Sequence, residues 1–367
     1  MKTRKILEGF AVETVEKLIF AVKGLVHPPD RLIACVRYLP DPAGDRIREG
    51  TTYRRVYRFA EQHQILRAHY PVYLHDEPAF GFRIQSVPVK RIRHVYNPRG
   101  RVADLYTHGP KDRLEENALG LVRLLAQTAN VPLEKLGISG SLLFGLHHLK
   151  SDIDLVVYGG AEGHAVHQAL RQLLDDPKEP VRRLNRDQLM ALHASHQPEL
   201  PLTLADFAPL QIRKVNEFFF KEFQCFIMFV KWPEQWGERY GDPSFEQCGI
   251  AKILARVTDE QESIFTPCRY RVEDVVFLKG RPESDLREIV SFRGLFSDQA
   301  RAGEWVLAKG GLERVIPQSA PIYYRLTVGG QTGDYLVSRC KPKIFNIQSK
   351  KFNHLKPNAV RRRCGRK

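Results

Sequence analysis

The 367-residue chain has only six cysteines (Cys35, Cys225, Cys248, Cys268, Cys340 and Cys364), and no two of them form a Cys-x-x-Cys pair. That spacing argues against a zinc ribbon, and nothing in it suggests a disulfide framework, so the thiols are expected to be reduced core groups. Long apolar runs are also missing. The longest patches, such as residues 18–22, stop far short of the ~20 residues that a membrane-spanning helix needs. The charged start Met1-Lys-Thr-Arg-Lys-Ile leads into no sustained apolar region. These absences predict a soluble, cytoplasmic protein with no membrane partner. A hydrophobic fraction of 43% gives no sign of global disorder, and the length suits two or three domains, each with its own core.

Acids are missing from one stretch in particular. Residues 341–367 contain ten Lys or Arg and no Asp or Glu, and so supply +10 of the net charge of +15. A basic tail ending Arg-Arg-Arg-Cys-Gly-Arg-Lys suits phosphate contacts and counterion release on nucleic acid. The plainer alternative is a solvated terminus with no partner.

The remainder divides into three units by its patterning. Residues 1–108 read as an N-terminal α+β unit, with strand-like runs at 10–13, 18–22, 31–38 and 52–59 and a helical piece at 60–70. Within it, His27 falls in an expected exposed loop. The basic-aromatic run Lys90-Arg-Ile-Arg-His-Val-Tyr suits either a nucleic-acid backbone or a solvated edge strand. Residues 109–245 alternate helices (112–129, 161–174, 183–195) with strands, as expected for a core packed around one sheet. His164 and His167 are expected on the outer side of their helix. Residues 246–340 carry short strand-like runs punctuated by glycines, which suits a small antiparallel barrel or sandwich. There Cys268 is a nucleophile in principle, but no partner for it can be identified.

The most informative stretch is residues 137–159, Gly-Ile-Ser-Gly-Ser-Leu-Leu-Phe-Gly-Leu-His-His-Leu-Lys-Ser-Asp-Ile-Asp-Leu-Val-Val-Tyr-Gly. It reads as turn, short helix, loop and buried strand. Asp152 and Asp154 are two residues apart at the start of that strand, so their carboxylates leave one face while Ile153 and Leu155 point into the core. Paired carboxylates repel unless a cation lies between them, and hard divalent ions such as Mg²⁺ accept such ligands while keeping room for phosphates. Gly140 and Ser141 offer backbone N–H groups and a hydroxyl to an anion. His147 and His148 lie in the loop between, where they are either polar surface or phosphate contacts. Lys150 is closer to the acids and suits phosphate neutralisation.

A Gly-Ser pair, ten residues, then Asp-hydrophobic-Asp resembles the active-site motif of the polymerase-beta-type nucleotidyltransferase superfamily. The flanking sequence also looks like a group of predicted nucleotidyltransferases, largely archaeal. The resemblance implies an α+β fold: a polymerase-beta-like core of mixed sheet and helices, flanked by a β-rich N-terminal domain and a β-barrel-like C-terminal domain. It implies a transferase that moves a nucleotide from an NTP, ATP among the candidates, to an acceptor hydroxyl, with Mg²⁺ or Mn²⁺ held by Asp152 and Asp154. Gly140, Ser141 and Lys150 would then meet the phosphates. The expected acceptor is nucleic acid, RNA favoured; a protein hydroxyl, as in adenylyltransferases, remains open.

Superfamily members usually bring a third acid on a later strand. The best later strand here, 222–230, has none at its centre, so Glu222 at its start is the nearest candidate, ahead of Glu217 and Asp206. That gap keeps a rival alive, in which the core is a scaffold for a non-catalytic nucleic-acid-binding protein.

Overall fold

The computed structural model describes residues 6–339, an α+β architecture of several domains built on three β-sheets. The basic tail, Cys340 and Cys364 lie outside the described residues, and with them the tail's expected nucleic-acid contacts.

The first sheet is formed by β1 (Ala11–Thr14), β2 (Ile19–Val22), β3 (Arg31–Pro40), β4 (Arg46–Arg48), β5 (Thr51–Arg55), β6 (Leu74–Glu77), β7 (Phe82–Pro88) and β8 (Ile92–Tyr96). Its order is β4-β5-β3-β2-β1-β8, with β7 joining β3 to β6. Along β3 buried residues alternate with half-buried ones, the period of a strand with one committed face. Helix α1 (Phe59–His69) follows β5. The basic-aromatic run forms β8, at the β1 edge of this sheet. His27 departs from expectation: its ring bonds the Ile6 carbonyl at 3.0 Å and accepts from the Ile33 N–H at 3.2 Å. Burial depresses its pKa to about 4, so it serves as a neutral structural link.

The second sheet carries the motif. Helices α2 (Pro98–His108) and α3 (Arg113–Ala129) lead to β9 (Leu136–Ile138), α4 (Gly140–Phe144), β10 (Ile153–Tyr158) and α5 (Gly160–Asp175). Then come β11 (Val181–Arg182), α6 (Arg186–Ser195), α7 (Leu204–Arg213), β12 (Glu217–Phe220), β13 (Phe223–Val230) and the short α8 (Pro233–Trp236). The order is β11-β12-β13-β10-β9, mixed because β10 runs parallel to β13 and antiparallel to β9. Asp112 caps α3 by accepting from the Glu115 N–H at 2.9 Å, and Asn130 closes it in the left-handed region. Leucines of α3 and α5 pack on Ile153, Leu155, Val157, Cys225, Ile227 and Phe229, which fill one face of the sheet.

The opposite face is divided. At its far end Val156, Tyr158 and Val230 join the core of the N-terminal sheet. Beside it, Gly294 approaches so closely that a Cβ there would lie 2.6 Å from Phe226 Cζ. What remains open is the near end of β10, where the two aspartates stand.

The third sheet comprises β14 (Ser244–Asp259), β15 (Cys268–Lys279), β16 (Leu286–Ser291), β17 (Trp305–Ile316), β18 (Tyr323–Thr327) and β19 (Tyr335–Arg339). It closes on itself, since β14 pairs with both β15 and β17. Although the 183–195 pattern was expected to help cover the second sheet, α6 and α7 lie against this barrel: Leu200, Leu202, Phe207 and Leu210 join the barrel core. Cys268 is buried there, and burial pushes its thiol up to about 12, which rules out an activated nucleophile.

His167, expected on an outer face, instead docks the barrel onto α5, its Nε2 lying 3.1 Å from Asp298 Oδ2. Asp298 is buried, and despite that burial the His167 bond and the nearby His167, Arg301 and Arg171 charges hold its carboxyl below the usual range. His164 is exposed, but its ring edge rests on Phe265 of the segment leading into β15. Replacing His167 by Ala should leave Asp298 with Arg301 alone and cost about 1–2 kcal/mol of stability, measured by denaturant unfolding.

Candidate active site

β10 places Asp152 and Asp154 on the open face, and the packing beside them explains the Gly-Ser turn. Gly140 has φ +58°, and a Cβ at that position would lie 1.9 Å from Asp154 Oδ2. Only glycine permits this approach. The Ser139 N–H donates to the Asp154 carbonyl at 2.8 Å, and Ser139 Oγ donates to the Gly9 carbonyl at 3.0 Å, so the turn is tied to both β10 and the N-terminal unit. Ser141 is 2% exposed, and its hydroxyl has no hydrogen-bond partner among the described residues. A buried hydroxyl left without a partner is costly, and it marks a place where a ligand can complete the bonding.

Asp154 is hemmed in. Burial, then the neighbouring Asp152 charge, push its carboxyl up to about 8, against the pull of Arg55 and Arg37. Without a cation, the pair therefore tends to retain a proton near neutrality. Two adjacent oxygen donors that repel each other fit a hard divalent ion.

An open cleft of about 560 Å³ lies over this end of β10. Arg46, Arg55 and Tyr57 line it from the N-terminal unit, His148 to Asp152 from the loop, and Phe219, Glu222, Phe223 and Gln224 from the sheet. Arg46 is held by the Leu146 carbonyl at 2.9 Å, Ser151 Oγ at 3.3 Å and an ion pair with Asp45 at 3.2 Å. Neither Arg55 nor Arg37 makes a close ion pair among the described residues; both charges act on Asp154, and Arg55 lines the cleft. Lys150 is exposed in the loop, with its backbone N–H on His148 Nδ1.

The other expected residues are placed differently. Glu222 lies in the turn before β13, exposed and ion-paired to Arg113 at 2.5 Å, and it shares the cleft rather than the acid pair. On β13 the residue opposite Asp154 is Phe226, while Gln224 stands one step before the residue that pairs with Ile153. Glu217 is paired with Phe226 from the next strand, in line with Asp154 two strands away, about 10 Å by strand spacing. Burial raises its carboxyl and the Lys214 charge opposes the rise. Asp206 lies in the first turn of α7, where its N–H donates to the capping Thr203 hydroxyl at 3.2 Å and its carboxylate accepts from that hydroxyl at 3.0 Å.

His147 bonds Asp112 at 2.7 Å. With Glu115 these donors lie within 4.8 Å of one another. Arg101 already occupies Glu115, which makes the group an anchor of the loop to α3 before anything else.

Against known proteins, the chain is similar to an uncharacterised protein of Methanocaldococcus jannaschii, 28% identical over 326 residues that span 87% of this chain and 94% of that protein. No protein-family model matches the chain, and no solved structure gives a significant match. Among the described residues no helix is long and apolar enough to cross a membrane.

Arg46, Arg55, Arg37 and Tyr57 escaped sequence reasoning. The Arg54-Arg55 pair that ends β5 is the nearest signal, since a half-buried strand ordinarily spares one face from charge.

The raised Asp154 group has a stability consequence. Its folded pKa lies above the unfolded value, so the folded state binds the extra proton and loses stability as pH rises from about 4 through 8. Asp154→Asn should therefore raise the melting temperature of the metal-free protein at pH 9 by several degrees and matter little at pH 4.

Proposed function

We propose that this chain is a metal-dependent nucleotidyltransferase of the polymerase-beta type, with the second sheet as its core and the cleft over β10 as its active site. The observation that carries the reading is the Asp152–Asp154 pair, with Asp154 pressed against Gly140 and the unpartnered Ser141 hydroxyl next in the chain. Asp152 and Asp154 would hold Mg²⁺ or Mn²⁺, which when bound neutralises triphosphate charge and polarises the reacting phosphorus.

The chain's own residues supply attraction and position. Arg46, Arg55 and Lys150 draw a triphosphate into the cleft, and Ser141 with Gly140 meets its outer phosphates. An acceptor hydroxyl attacks the α-phosphorus in line. A new P–O bond forms, the bond to the β-phosphate bridging oxygen breaks, and pyrophosphate departs while the hydroxyl loses its proton to water or a nearby carboxylate. Gln224 and Phe226 occupy the neighbouring strand where superfamily members usually carry an acid, so the two aspartates are the only carboxylates assigned here to the metal. The acceptor is a nucleic-acid end, RNA favoured, drawn in by the basic residues 341–367.

The same strand favours a second reading, a nucleic-acid-binding protein on a nucleotidyltransferase scaffold without turnover. Incubation with each α-phosphate-labelled NTP, Mg²⁺ or Mn²⁺, and cellular RNA, DNA and protein separates the two. Label should enter RNA, and Asp152→Asn should reduce it to background while melting like the wild type. Label in protein would indicate adenylylation instead, and NTP binding with no incorporation would favour the scaffold. Deleting residues 341–367 should weaken RNA binding and flatten its salt dependence. Unchanged binding would remove nucleic acid from the role given to the tail.

A further inference from the structure

Two of the cleft's lining residues are large, apolar and largely exposed: Tyr57 at 57% and Leu149 at 79%. They come from different units, Tyr57 just after β5 and Leu149 from the loop between α4 and β10. The Arg55 guanidinium carbon sits 3.9 Å from the Tyr57 ring centroid and 6.0 Å from that of Tyr38. One face of Tyr57 is thus covered by a cation, which holds the ring in place through its quadrupole. The tyrosine also feels the acids: burial raises its phenol, the Arg55 charge opposes the rise, and Asp152 and Asp154 add to it.

We infer that Tyr57 is the stacking platform for the base of the incoming nucleoside triphosphate, with Leu149 as the second lip of the clamp. This rests on the nucleotidyltransferase reading of the acid pair. The occupant follows from what the cleft offers. Arg46, Arg55 and Lys150 beside a cation-binding pair call for a polyphosphate. A bare polyphosphate would leave Tyr57 and Leu149 uncovered, and an apolar peptide would leave the charges unmatched. A flat ring joined to phosphates meets both demands, and a cleft of about 560 Å³ is of nucleotide size. Every base has a π-face, so stacking on Tyr57 confers affinity for all four nucleotides with little choice among them.

The test is equilibrium titration of the full chain, in Mg²⁺, with each NTP and with inorganic tripolyphosphate. The wild type should bind NTPs more tightly than tripolyphosphate. Tyr57→Ala should weaken NTP binding by about five- to a hundredfold and leave tripolyphosphate binding unchanged. Tyr57→Phe should keep wild-type affinity, because the ring and not the hydroxyl carries the contact, and Leu149→Ala should weaken NTPs by a smaller factor. Wild-type NTP affinity in Tyr57→Ala would overturn the clamp and leave the nucleotidyltransferase reading standing. An equal loss of NTP and tripolyphosphate would also overturn it, since the ring would then act only by placing Arg55. A wild type that binds neither ligand would sink the clamp and the underlying reading together.

Discussion

Strand β10 must satisfy opposite demands on its two faces, and most of the molecule is arranged around that conflict. Ile153, Leu155 and Val157 are buried against α3 and α5, so the register of the strand cannot slip without exposing all three. The same alternation forces Asp152, Asp154, Val156 and Tyr158 onto the other face. Two of these are apolar or aromatic and need cover, and two are carboxylates and need access. The N-terminal sheet covers the first pair and stops short of the second.

Two close approaches make that division workable. Gly140 lets the turn before α4 lie directly on Asp154, and Gly294 lets the barrel's β16–β17 connection lie on Phe226. Each replaces a side chain by backbone where there is no room for a Cβ. The first packs directly on Asp154 and the second on its cross-strand neighbour Phe226, while Asp152 lines the cleft. The cost is electrostatic: a confined carboxylate beside another is hard to ionise, as the upward shift of Asp154 records. Perturbed carboxylates of this kind cluster at functional sites.

The cleft is composite. Its floor and Lys150 belong to the second sheet and its loop, but Arg46, Arg55 and Tyr57 come from β4, β5 and the residues just after it in the first unit. The N-terminal unit packs against the second sheet through Val156, Tyr158 and Val230, and that contact brings the two sets of lining residues together. On the other side, Phe265 and the His167–Asp298 contact lock the barrel to α5, which keeps Gly294 in place over Phe226.

Local patterning in the chain was enough to locate the turn, the short helix and the acid-bearing strand, because alternation and turn chemistry act within a few residues of each other. It also marked the amphipathic α3 and α5 and the glycine-punctuated strands of the barrel. It failed where a residue's surroundings come from elsewhere. His27 and His167 looked like surface histidines because their partners, Ile6 and Asp298, are 21 and 131 residues away. Helices α6 and α7 follow a strand of the second sheet, yet they cover the barrel. Glu222 was nearest to the right strand in sequence, but the register between β10 and β13 aims Phe226 and not an acid at Asp154. Of the arginines and the tyrosine opposite the aspartates, only Arg55 had a local signature, the Arg54-Arg55 pair. What the sequence determined by itself was the pair of carboxylates and the glycine beneath them, since their spacing is short-range geometry. Which cations, rings and neighbouring strands meet them depended on long-range packing, and only the tertiary structure decided that.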